Sequence, residues 1–334
     1  MSEKTVKTDK QQTAGATAVE ADTITEEHPN WPPALVAAMG PQLAEDETGT
    51  SLWKGAFQRL RRNPSAIIGG IIVLAFIVVA VFAPLLAPYK PSTTEWANQI
   101  TPSTLPPFSP EHPLGLDSFG SDFLTQLIYG ARQSLIIGVV STLLGLAGGA
   151  VLGGLAGAIG GWVDTLVMRI VDILLSIPAL LLAVSVAAIM GRRPEALMVA
   201  IAAAQVPIFA RLLRASMMKQ RRQDYVLASA SLGLRPRTIV MSHVVPNSLG
   251  PVIVQATLML ATAIIEVAAL SYLGLGAPDP TVAEWGRMLV KGQERLESYP
   301  LLTVLPGLCI AVTALGFTLL GESLREALDP KSRR

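Results

Sequence analysis

The chain has 334 residues, 51% of them hydrophobic and 15% charged, with a formal net charge of +1. Soluble domains carry about a quarter charged residues, so this composition excludes an ordinary water-soluble globule and indicates a membrane protein. The charge balance excludes a nucleic-acid binder that works through bulk basicity, and a single cysteine, Cys309, excludes an internal disulfide and any paired-thiol metal or redox motif.

Residues 1–50 hold nine acids against three lysines and are rich in Thr, Ala, Glu and Pro, which is the composition of a disordered acidic tail on the cytoplasmic side. Within it only 31–39 has the composition of a docking helix. No basic region followed by an apolar run opens the chain, so the first apolar segment, preceded by Arg59, Arg61 and Arg62, is expected to be an uncleaved anchor. About 20 predominantly apolar residues are needed to cross a hydrocarbon core ~30 Å thick. Six stretches meet that length, near 66–87, 134–160, 166–190, 196–215, 249–275 and 300–321. The predicted organisation is therefore a first span with a long external loop over 51–133, a transmembrane core over 134–324 that includes a cytoplasmic loop at 216–248, and a cytoplasmic tail at 325–334.

Lysine and arginine counts near the span ends set the orientation. With the N-terminus inside, the inner segments carry fifteen basic residues and the outer ones seven. Both termini are thus expected in the cytoplasm, with 216–248 inside and 88–133 and 276–299 outside.

In the second span Gly145, Gly149, Gly153, Gly157 and Gly161 recur every fourth residue. Small residues let helices approach closely where lipid gives no hydrophobic drive, and the stripe fits packing inside the bundle better than a dedicated dimer face. Pro178 and Pro207 fall inside the third and fourth spans, where each removes a backbone hydrogen bond and bends the helix. Asp164, Arg169 and Asp172 are expected to compensate one another at a cytoplasmic edge. Glu266 is the one acid well inside a span. A charge there costs about 3 kcal/mol on insertion scales, so it must line a wet cavity, a candidate path across the membrane, or bond a neighbouring helix. Outside, Trp285, Gly286 and Met288 either cap a short helix or meet a soluble partner.

The chain contains no GxSxG, HExxH or GxxxxGK[ST], so no catalytic or nucleotide-cradling residue is predicted on it. Any energy source must be an ion gradient or a partner subunit. The cytoplasmic loop reads QRRQDYVLASASLGLRPRTIVMSHVVPNSLGP. Asp224 suits a helix N-terminus, Gly233 the left-handed residue after its last turn, and Pro236 the first turn of a second helix that Pro246 and Asn247 would end. The result is a projecting helix–turn–helix knuckle whose small face is Ala228, Ser229 and Ala230.

This knuckle resembles the EAA loop of permease subunits of bacterial ABC importers. Gly233 and Pro246 stand thirteen apart as in that loop, with Ala228 and Ser229 in the alanine places and Leu227 in the glutamate place. Further blocks, HPLGLDSFGSDFLTQLIYGARQSLIIG, SIPALLLA, EVAALSYLGLG, EWGRMLVKG and GESLREALDP, resemble the dipeptide, oligopeptide and nickel branch, DppC/OppC-like, over about 52–334. The resemblance implies an all-α, polytopic, six-helix permease of the type I importer kind in the inner membrane of a bacterium. It implies that Ala228, Ser229, Gly233 and Leu234, with Arg235 beside them, couple the spans to an ATPase. It also implies a second homologous permease subunit, two cytoplasmic ATPase subunits or a fused pair that hold ATP and Mg, and an extracytoplasmic solute-binding protein, with no cofactor or metal on this chain. Peptides are the expected cargo. Nickel chelate, glutathione and oligosaccharide stay open, and the alternative of another class is an ion-coupled secondary transporter, which would need no knuckle.

Overall fold

The computed structural model describes residues 57–100, 111–279 and 282–328. The acidic tail at 1–50 and residues 329–334 lie outside it. Apart from one antiparallel bridge between Leu116 and Asp122, the regular structure of the described residues is helical. Five helices are long and apolar enough to cross a membrane, and a bent pair makes a sixth if it is counted as one span.

Helix α1, Pro64–Val81, starts where the Asn63 side chain accepts from the Ser65 amide at 2.9 Å and Pro64 takes a position that needs no donor. Helix α2, Phe123–Ile159, has 37 residues and a length of about 55 Å. It therefore begins eleven residues before the predicted span, inside what the sequence suggested was external loop, because Asp122 caps it by accepting from the Thr125 amide at 2.7 Å. Gly160 and Gly161, with φ of 74° and 58°, then turn the chain in a region other residues avoid.

The third predicted span is two helices, α3 at Gly161–Ser176 and α4 at Ala179–Met190, bent by 94°. Pro178 is the cause. It offers no amide to α3, and it forces Ile177 into the extended region, φ −90° and ψ 130°. Pro207, by contrast, sits buried inside an unbroken α5, Pro194–Gln220.

The loop at the end of α5 forms α6, Asp224–Ser231. The next helix does not stop at Pro246 as predicted: α7 runs continuously over Pro236–Tyr272. A single wide turn at Val240–Val244, closed by the Val245 amide on the Val240 carbonyl, precedes Pro246 and relieves the ring's clash with the preceding turn. Helix α8 spans Trp285–Gln293 and α9 spans Leu301–Leu328, so the predicted C-terminal tail is helical as far as residue 328.

The glycine stripe packs α2 on α5. A Cβ on Gly145 would lie 2.9 Å from that of Gln205, one on Gly157 would lie 2.8 Å from the Met217 sulfur, and Gly149 and Gly153 face the Phe209 side chain and the Ala210 carbonyl. Gly161 is not part of this contact: it has open space and a positive φ. A second close approach joins α1 to α9, where a Cβ on Gly69 would lie 2.8 Å from the Gly316 carbonyl oxygen. At the same end Asn63 donates to Glu326 at 3.1 Å.

Candidate functional site

The loop between α5 and α7 projects as a knuckle. No residue of α6 is buried; Leu227 is 69% and Leu232 83% exposed. Two leucines of that size left in water, on a helix of eight residues, are an interaction surface rather than a fold element. The α6 serines satisfy themselves, Ser229 of the small face donating to the Tyr225 carbonyl at 2.8 Å and Ser231 to the Leu227 carbonyl at 3.0 Å. The helix closes through the Leu232 amide to Ala228, the Gly233 amide to Ala230 and the Leu234 amide to Ser229, at 3.0, 3.0 and 3.3 Å. That last bond requires the left-handed residue between, and Gly233 has φ +81°. Arg235 is then extended and Pro236 opens α7. Ala228, Gly233, Leu234 and Arg235 are exposed and Ser229 is half-buried.

Next to the knuckle, α3 is clipped to α5. Arg214 pairs with Asp164, its second bond measuring 2.6 Å, and Arg211 with Asp172 at 2.5 Å. The three α3 charges therefore do not compensate one another as expected. Asp164 and Asp172 lie two helical turns apart on the face toward α5, and Arg169 is exposed. The Arg221 guanidinium reaches back to the Ala158 carbonyl at the end of α2.

Glu266 is half-buried on α7, between the buried Ile264 and Val267. Its Oε2 is buried and has no hydrogen-bond partner among the described residues.

The far ends of the spans meet in a second polar assembly that periodicity did not reveal. Asp117 accepts from the amides of Phe119 and Ser121, both at 2.9 Å, and pairs through its other oxygen with Lys291 at 3.2 Å. Burial pushes the Lys291 pKa down against the pull of Asp117. Asp122, besides capping α2, meets His112 at 3.0 Å, with the rings of Tyr89 and Trp96 packed on the imidazole. Helix α8 is capped by Glu284, which accepts from the Gly286 amide at 2.8 Å. Burial raises the Glu284 pKa, and bonds from Ser271, Gly286 and Arg287 oppose the rise. Trp285 and Met288 are buried, and the Trp285 indole donates to the Leu127 carbonyl at 3.0 Å. A Cβ on Gly286 would come within 2.6 Å of the Ala268 Cα. These three residues therefore seat α8 on α2 and α7 and offer no surface to a partner. The motif HPLGLDSFGSD and the helix WGRMLVKGQ, far apart in sequence, form one clasp.

The chain is similar to known proteins over most of its length. Residues 149–334 match the family model "Binding-protein-dependent transport system inner membrane component", and residues 51–107 match "N-terminal TM domain of oligopeptide transport permease C". The dipeptide transport system permease protein DppC of Alkalihalophilus pseudofirmus is 41% identical over 88% of this chain and 94% of its own. The glutathione transport system permease protein GsiD of Pectobacterium atrosepticum is 36% identical over 86% of this chain and 94% of its own. Among solved structures, a chain of the inward-facing MetNI methionine ABC transporter superposes with a TM-score of 0.51 at 20% identity, covering 62% of this chain and 97% of that one. At that identity the likeness concerns the fold.

Proposed function

We propose that this chain, which belongs to the family of binding-protein-dependent transport system inner membrane components, is the permease subunit of an ATP-driven importer of short peptides. It is a multi-pass membrane permease. In the proposed complex it forms half of the translocation path, and a second, homologous permease forms the other half. Two ATPase subunits, or a fused pair, hold ATP and Mg in the cytoplasm, and a solute-binding protein delivers cargo on the far side. The excess of basic residues around the knuckle supports a cytoplasmic position for it and for both termini in this reading.

The observation that carries the reading is the knuckle itself. An eight-residue helix with nothing buried would not persist alone in water. Here it is held between the ends of two spans, with Leu227, Leu232 and Leu234 outward and Arg235 and Arg237 beside them. Such a surface fits an apolar cleft bordered by acids, and closure of that cleft would move α5 and α7 together. The cargo class rests on the relatives. A dipeptide and glutathione share a short backbone with charged amino and carboxylate groups, which is the chemistry this path is proposed to accept.

The test is purification through a tag on this chain. Two ATPase subunits should be retained, and the complex reconstituted with its binding protein should take up radiolabelled alanyl di- and tripeptides only with ATP inside. Absence of retained ATPase together with uptake driven by an ion gradient would refute the proposal in favour of a secondary transporter. A complex that takes up peptides but is saturated by glutathione at far lower concentration would narrow the cargo to that tripeptide.

A further inference from the structure

At the base of the knuckle three residues close a ring of hydrogen bonds, one of them through the Asn247 main-chain carbonyl. The Tyr225 hydroxyl donates to Gln220 Oε1 at 2.8 Å, Gln220 Nε2 donates to the Asn247 carbonyl at 3.2 Å, and Asn247 Nδ2 donates back to the Tyr225 hydroxyl at 3.4 Å. The three residues come from three elements: Gln220 is the last residue of α5, Tyr225 is in the first turn of α6 and Asn247 is in α7. One turn deeper the Ser216 hydroxyl donates to the Ser248 carbonyl at 3.1 Å, which continues the seam between α5 and α7. The Tyr225 ring also lies edge-on to His243, 6.5 Å between centroids.

Among the described residues, Tyr225 is the one α6 side chain with a hydrogen bond outside its own helix. The two α6 serines bond to their own helix, and Leu227 points to solvent. Val226, half-buried, packs on the apolar cluster of α5 and α7 around Met217 and Val244, a contact without direction. Without the Tyr225 hydroxyl, α6 would lose its only directional side-chain tie to the spans and could tilt about that contact while α5 and α7 stayed still.

We infer that Tyr225 is a positioning residue for coupling, whose hydroxyl fixes α6 to the ends of α5 and α7 at once so that a displacement of the knuckle becomes a displacement of both spans. The inference rests on the reading of the knuckle as the ATPase-docking element. It assigns a division of labour within it: the outward leucines hold the partner and Tyr225 transmits the movement. Asn247 has a share in the same ring, because its amide donates to that hydroxyl.

The experiment uses the whole complex, purified through this chain and reconstituted in proteoliposomes, and reads retained ATPase, hydrolysis rate and alanyl-peptide uptake per ATP hydrolysed. Tyr225→Phe keeps the ring edge-on to His243 and removes two of the three bonds. Retained ATPase and hydrolysis should stay within about twofold of the wild type, while uptake per ATP falls about fivefold or more, the weight of two neutral hydrogen bonds. Asn247→Leu should lower the same ratio, and the double variant should be no worse than Tyr225→Phe, since both remove one shared bond. Unchanged uptake per ATP in Tyr225→Phe would overturn the inference. Loss of ATPase in proportion to uptake would also overturn it, because the hydroxyl would then support docking and not transmission. The docking role has its own readout: Ser231→Cys should cross-link to an ATPase subunit. Failure to do so in an active complex would remove the docking role itself, whatever Tyr225→Phe does.

Discussion

Replacing Gly233 by valine should uncouple the knuckle while leaving the spans inserted. The residue has φ +81° and no heavy atom within 4 Å of the place a Cβ would occupy, so space is not what requires glycine. The backbone conformation is. An L-residue in the left-handed region costs about 1–2 kcal/mol, and a β-branched one lies at or beyond the top of that range. At tenfold per 1.4 kcal/mol, such strain moves the turn's equilibrium by roughly five- to thirtyfold. The bonds at stake are the three that close α6, from the amides of Leu232, Gly233 and Leu234. Hydrogen exchange on the purified complex should show faster exchange at those amides in Gly233→Val, with α5 and α7 unaffected, and peptide uptake per ATP should fall in parallel. Gly233→Asn, which tolerates the left-handed region better, should be milder. Valine with native protection and native uptake would refute the reasoning. Valine and asparagine giving equal defects would show that something other than φ makes the position glycine.

Three further outcomes follow from the same structure. Gly153→Ala should weaken the α2–α5 contact by about 1–3 kcal/mol, because its Cβ would overlap the Ala210 carbonyl. Gly154→Ala, with only Leu213 near at 3.9 Å, should be neutral or stabilising; thermal unfolding in detergent that ranks the two alike would refute the packing role. Lys291→Met leaves the Asp117 carboxylate buried without its cation, a loss of about 3 kcal/mol at the low end of such cases because Asp117 keeps two backbone donors. Adding Asp117→Asn should restore most of it in the same melt, and no recovery would show that the pair is incidental. Glu266→Gln removes the charge and keeps the shape. Uptake should change with pH differently from the wild type if the carboxylate is exposed to the path, and identical profiles would leave it a packing group.

What the sequence revealed was mostly local. The turn at Gly233 and Pro236, the apolar lengths of the spans and the glycine stripe follow from rules that act over a few residues, and the resemblance to permeases rested on contiguous blocks. What it concealed was pairing across distance. Nothing near Asp117 indicates that its cation is Lys291, 174 positions on, nor that Asp164 and Asp172 would find Arg214 and Arg211 and leave Arg169 aside. The stripe was legible, but its partner helix was not. Two prolines that look alike in sequence also diverge. Pro178 breaks its span, whereas Pro207 is absorbed in a helix buried on several sides, and Pro246 is absorbed by a wide turn five residues long that no residue pattern announces.

The break at Pro178 has a consequence for the chain in its bilayer. Helix α4, with twelve residues, rises about 18 Å, which is short of a hydrocarbon layer of about 30 Å. The bend therefore falls at a depth where lipid chains would surround it. The Ile173 carbonyl accepts from the Ser176 hydroxyl at 2.7 Å and the Leu174 carbonyl from the Ile177 amide at 3.3 Å, but a helix break leaves further end groups without a helical partner, and each such group left against hydrocarbon costs several kcal/mol. On the isolated chain this corner is bare: Ile177 and Leu180 are each 40% exposed and Leu181 57%. Acyl chains cannot hydrate it, so protein or water must. A solitary copy would carry an open polar seam in the membrane; in the proposed importer this corner would abut a neighbouring subunit or border the aqueous passage.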